Sequence, residues 1–122
     1  MPDEIFVTEL LQKWVNTIKN GDPKQVANLY HENGILLGTF SPKERVGHEL
    51  ILEYFENLLQ SPVEVEIVSE HPHVFESSAV NSGLYNFITG GKTIEARFSF
   101  VYSNDDTGWK IISHHSSVLP ET

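Results

Sequence analysis

Hydrophobic residues recur along this chain at two different spacings, and the change of spacing divides it in two. Over residues 4–20, Val7, Leu10, Leu11, Trp14, Val15 and Ile18 follow the i, i+3, i+4, i+7 stripe of an amphipathic helix, which Asn20-Gly21 ends. Asp22-Pro23 then supplies an N-cap and a first helical residue. A short second helix is predicted there, with Val26, Leu29 and Tyr30 inward and Gly34 as its end. Ile35-Leu36-Leu37 reads as a short buried strand and Ser41-Pro42-Lys43-Glu44-Arg45 as a polar turn. Gly47 opens a third helix with the clearest pattern of all, Leu50, Ile51, Tyr54, Phe55, Leu58 and Leu59, and Ser61-Pro62 stops it. Trp14, Leu50, Tyr54, Phe55 and Leu58 are the helix residues expected to pack on a sheet.

From residue 63 onward the period becomes two. Val63, Val65 and Ile67 alternate with Glu64 and Glu66, and residues 71–75 bend into a short continuation. Residues 78–89 and 93–102 read as long strands turned at Gly90-Gly91, and a polar loop at 103–108 leads into a last strand at 109–120. Strict alternation places Trp109, Ile111, Ser113 and His115 on one face of that strand, and Lys110, Ile112, His114 and Ser116 on the other. Each face carries apolar residues and one imidazole. Such a strand is contacted on both sides, with a core or cavity on one and a partner on the other. Three helices followed by a four-stranded antiparallel meander predict an α+β domain, helices covering one face of a curved sheet.

Composition narrows the function more than the fold. At 122 residues the chain is expected to form a single domain, 1–122, large enough to bury a packed core. With a net charge of −9 and only 8 Lys and Arg, it lacks the clustered cations that bind phosphate backbones, so nucleic acid is not an expected partner. The absence of cysteine removes disulfides, thiolate catalysis and cysteine-held zinc. Acidic Met1-Pro2-Asp3-Glu4 is followed by no apolar run of signal or membrane length, so a cytoplasmic protein without a membrane partner is expected.

Several short stretches recur here in a familiar order: Trp14, Gly21-Asp22-Pro23 with Leu29-Tyr30, residues 54–59 (YFENLL), Ser82-Gly83-Leu84-Tyr85, residues 96–102 (ARFSFVY) and residues 114–120 (HHSSVLP). Together they resemble the association (hub) domain of calcium/calmodulin-dependent protein kinase II, and more closely its free-standing bacterial relatives. The resemblance spans nearly the whole chain and implies the cone-shaped fold of the nuclear-transport-factor-2-like superfamily. It also implies self-assembly into a homodimer or a larger ring. The positions that match the hub's pocket arginines are Tyr85 and Phe100 here, so its anion pocket does not carry over as it stands.

Arg97 is the cation in an otherwise apolar-aromatic strand, where an unpaired buried charge would cost several kcal/mol. It either clamps a small carboxylate at the mouth of the cone or pairs with Glu95, Glu64, Glu66 or an acid of a partner subunit. A β-bulge shifting its parity would bring Arg97 and His115 into the cone beside Tyr30 and Tyr85; without one, Arg97 joins the dimer face. The candidate ligand-binding set is therefore Arg97, His115, Tyr30, Tyr85, Tyr54 and Trp14. His115 with a tyrosine is either an acid/base pair or a hydrogen-bonded core histidine. His114, on the opposite face, is expected to support the subunit contact.

No metal or other cofactor is expected. Neither His71-x-His73 nor His114-His115 has a nearby third ligand, and Gly90-Gly91 is a hairpin turn. Every strand acid except Glu95 reads as lying in a turn or on a polar face, and no paired carboxylates or nucleophile arrangement emerges. The main expectation is thus a self-associating domain with a small-carboxylate pocket in the cone and no catalytic residues. The alternative is an isomerase, dehydratase or cyclase of the same fold using His115 and tyrosines. Val101 and Ile112, apolar and facing away from the Phe100 and Trp109 sets, are expected at the subunit contact.

Overall fold

The structure is a computed structural model, and it describes residues 2–121; Met1 and Thr122, the ends of the expected domain, lie outside the described residues. Helix α1 spans Glu4–Asn20. It starts where the Asp3 carboxylate accepts the Phe6 amide at 3.0 Å and ends at Gly21, in the left-handed region. Its apolar stripe, Val7, Leu11, Trp14, Val15 and Ile18, is buried. Helix α2 covers only Pro23–Ala27, so the expected second helix is shorter, and Tyr30 opens a strand instead of closing a helix. Helix α3 is His48–Leu58. Ile51, Tyr54 and Phe55 are its buried residues, whereas Leu50, expected inward, is 37% exposed.

Six strands form one sheet: β1 (Tyr30–Leu37), β2 (Arg45–Val46), β3 (Glu64–Val74), β4 (Ser78–Thr89), β5 (Lys92–Asp105) and β6 (Gly108–Val118), in the order β2-β1-β6-β5-β4-β3. The expected meander is β3 to β6. What periodicity did not show is that β1 pairs parallel to β6, extending the sheet beyond the C-terminal strand. The helices pack on the concave face, over Tyr85, Phe87, Phe98, Phe100, Tyr102 and Ile111. The molecule is therefore α+β, helices on a curved and mainly antiparallel sheet.

Two irregularities decide which side chains point inward. In β3 the pairing with β4 slips between Ile67 and Ser69, and Gly83 lies against that slip. A Cβ on Gly83 would collide with the Ser69 carbonyl, so only glycine fits. In β6 the partner of Val101 is Ser113 and that of Tyr102 is Ile111, which leaves Ile112 as an extra residue.

Candidate functional site

The bulge at Ile112 reverses the alternation beyond it. Ile111, His114 and Ser116 are buried on the concave face, while His115 is exposed on the convex one. Strict parity had placed His115 with Trp109 inside and His114 outside, and the structure corrects both. The bulge that would have turned Arg97 inward lies in β6, not in β5. Pairing of β4 with β5 runs unbroken from Ser78↔Ser103 to Thr89↔Lys92, so Arg97 stays on the convex face, exposed. Arg97 and His115 do share a location: with Ser99 and Ser117 they line a convex-face depression of about 240 Å³.

Inside, the other candidates meet. Trp14 from α1, Tyr30 from the start of β1, Tyr85 from the middle of β4 and His114 from β6 are buried together. Trp14 Nε1 donates to the Tyr30 hydroxyl at 3.1 Å, and Tyr30 Oη lies 2.7 Å from His114 Nδ1. His114 Nε2 lies 3.2 Å from Tyr85 Oη, and the Tyr85 hydroxyl donates to Ser116 Oγ at 2.5 Å. Because the Tyr85 proton goes to Ser116, Tyr85 must accept from His114 Nε2–H. His114 Nδ1 then carries the lone pair and accepts the Tyr30 proton. Ser116 in turn lies 2.6 Å from Thr39 Oγ1. The result is one directed chain of donors, with the neutral Nε2–H tautomer fixed by its neighbours. Phe100 stacks on the imidazole with ring centroids 3.9 Å apart.

Electrostatics follow from enclosure. Burial holds the His114 pKa down to about 3, and the nearby His115 adds to the shift. A second ring proton would also leave the Tyr30 proton with nowhere to go. Burial drives the phenols of Tyr30 and Tyr85 well above their usual value, so both stay protonated donors. Every polar group of the chain from Trp14 to Ser116 is already engaged within the protein, which suits a neutral packed interior better than a base aimed at a substrate.

Tyr54, the remaining candidate, stands apart from this chain. Its oxygen accepts the Phe40 amide at 3.3 Å, and burial pushes its pKa up to about 12. It lines a separate cleft together with Phe40, Lys43, Arg45 and Asn57. Arg45 belongs to the expected polar turn, yet among the described residues it is the buried one of the lysines and arginines. It donates to Glu53 at 2.6 Å and, through Nη2, to Ser41 Oγ at 3.1 Å, and it holds the Glu53 carboxyl below its usual range. A cation three residues before a helix, with an acid eight residues on at the helix's sixth position, was the available signal.

One acid also escaped the alternation. The slip in β3 turns Glu70 toward the concave face, where it accepts the fully buried Asn81 amide at 3.1 Å. Near it, Tyr102 has the one buried side-chain polar atom without a partner among the described residues. His71 and His73 are exposed on β3, and among the described residues no cluster of three metal-ligating side chains exists. Among the described residues no helix is long and apolar enough to cross a membrane.

Against known families, residues 3–120 match the calcium/calmodulin dependent protein kinase II association domain. The chain belongs to that family. A Xanthomonas campestris protein named for the same domain is 36% identical and superposes with a TM-score of 0.90, covering 99% of this chain and 91% of that one. At 20% identity, a nuclear transport factor 2-like superfamily protein from Salmonella enterica gives 0.82, over 98% and 92% of the two chains. A Parabacteroides distasonis protein named for ketosteroid isomerase, 18% identical, gives 0.81 over 97% and 89%. The last two establish the nuclear-transport-factor-2-like fold, a scaffold common to association domains and to proteins named for enzymes. Comparison with curated protein sequences gave no match.

Proposed function

We propose that this association domain joins copies of itself through the convex face of β4, β5 and β6. The observation that carries the reading is the composition of that face. Val80 stands opposite Val101, Leu84 opposite Arg97, and Ser99 opposite His115, all on the side away from the helices. Apolar residues set among hydroxyls, with a guanidinium that makes no ion pair among the described residues, form a surface that a second copy would complete. Arg97 then meets an acid of the partner subunit, and His115 sits beside it. The enzymatic alternative finds little support in this arrangement, since His115 is on the opposite side of the sheet from Trp14, Tyr30 and Tyr85.

Light scattering of the purified protein at tens of micromolar tests the reading. A mass of twice the 13.8 kDa chain or more is expected, and Val101→Glu should reduce it to the monomer without loss of folded signal. A wild-type monomer, or a Val101→Glu protein still fully assembled, would overturn it.

A further inference from the structure

We propose that the cleft beside Tyr54, bounded by the 38–45 loop, the second half of α3 and the end of β4, binds a small aromatic carboxylate. Its volume, about 460 Å³, lies within the range of small-molecule sites, roughly 300–1,000 Å³. Phe40, Pro42 and Leu58 give it apolar walls, and Lys43, Tyr54 and Asn57 supply polar groups. In a chain of net charge −9 this cleft is lined by two of the eight cations and by no acid; Glu53 pairs with Arg45 beside it, which leaves Lys43 as the cation without an ion-pair partner among the described residues.

The donors are built in and unspent. Gly38 lets the Tyr54 ring lie flat against the loop backbone, where any Cβ would strike the ring and its hydroxyl. The Phe40 amide occupies the oxygen from one side, and the hydroxyl proton has no acceptor among the described residues. Four of the five Arg45 N–H groups are taken by Ser41, Leu50 and Glu53, and its charge is paired with Glu53, so it mainly shapes the wall. Lys43 has no carboxylate partner among the described residues, and the Asn57 amide makes no hydrogen bond there. An ammonium, a phenolic proton and an amide N–H group thus line one cleft together with an aromatic and an aliphatic wall. That combination recognises a flat hydrocarbon bearing one carboxylate. A bare inorganic anion leaves the apolar walls unused, and a neutral ring leaves Lys43 unpaired. None of these residues belongs to the convex face, so the site is independent of self-assembly.

The test is an amide-resolved NMR titration of the intact protein with benzoate. Benzamide, which lacks the charge, and acetate, which lacks the ring, serve as comparators. Saturable shifts are expected at residues 40–45 and 54–61 and at Thr89, with a dissociation constant on the order of 1 mM. Both comparators should bind about tenfold more weakly or worse. Lys43→Ala, an exposed position that does not threaten folding, should weaken benzoate about tenfold, and Tyr54→Phe a few-fold, with the oligomeric mass unchanged in both. The proposal falls if benzoate does not saturate below about 20 mM, if its shifts centre on Arg97 and His115, if benzamide binds equally, or if Lys43→Ala changes nothing. A monomeric wild type that still binds benzoate would remove the assembly reading and leave this one standing.

Discussion

The two faces of the β5–β6 hairpin carry the same kinds of residue and treat them oppositely. On the concave face His114 and Ser116 are buried among Phe98, Phe100 and Tyr102; His114 is held between Tyr30 and Tyr85, and Ser116 accepts from Tyr85. On the convex face His115, Ser117, Ser99 and Arg97 surround a shallow open depression, and Arg97 has no acid beside it among the described residues. An imidazole and a hydroxyl are adjacent to their counterparts in sequence, yet one pair is locked and neutral and the other is available. Residue type does not separate the two roles. Enclosure does, because it removes the water that would otherwise compete for every donor and stabilise every charge.

The contrast breaks most severely from the inside. Phe55 is 1% exposed and packs against Tyr30 and Tyr54. Phe55→Ala should cost about 3–5 kcal/mol in chemical denaturation, a large part of a typical domain's 5–15. A loss below about 1 kcal/mol would show that α3 does not hold the interior.

Replacing His114 by Leu keeps the volume but strands the Tyr30 proton and a Tyr85 lone pair, at about 1–3 kcal/mol for each buried group left unpaired. The same variant sharpens the comparison through pH. Folded His114 takes a proton only at about 3, against an ordinary 6.5. Between those values the unfolded chain holds the extra proton, so stability is lost as pH falls from about 6.5, by at most about 1.4 kcal/mol per unit. His114→Leu should flatten that profile. Measurement between about pH 5 and 7 keeps Asp105, whose carboxyl Thr107 holds down at about 2, largely out of the window. Identical slopes for wild type and variant would refute the buried neutral imidazole.

The smallest effect is on the convex face. Arg97→Leu should leave the chain's folding stability within about 0.5 kcal/mol. It should weaken the assembly by about 0.2–1 kcal/mol, a factor of roughly 1.4 to 5 in dissociation constant by analytical ultracentrifugation. A large loss of folded stability would place the guanidinium inside after all.

Local patterns determined much of this protein before any packing was known. The stripe from Val7 to Ile18, the Asp22-Pro23 start, the α3 pattern and the long strands from Ser78 onward all follow from side-chain spacing and backbone preference, which act over one or two turns of chain. Trp14, Tyr30, Tyr54 and Tyr85 were legible as inward residues for the same reason. Tertiary structure decided the rest. Alternation predicts a face only while pairing is regular, and the extra residue at Ile112 is defined by its partners Val101 and Tyr102 on another strand. Histidine and serine doublets at 114–117 satisfy either parity equally, so no local rule could choose His114 over His115. The slip that turned Glu70 inward depends on Gly83 in β4, and the enclosure of Arg45 depends on Glu53 in α3. Each of these outcomes is set by a contact between residues distant along the chain or on different elements. Spacing within one strand or helix carries no record of such contacts.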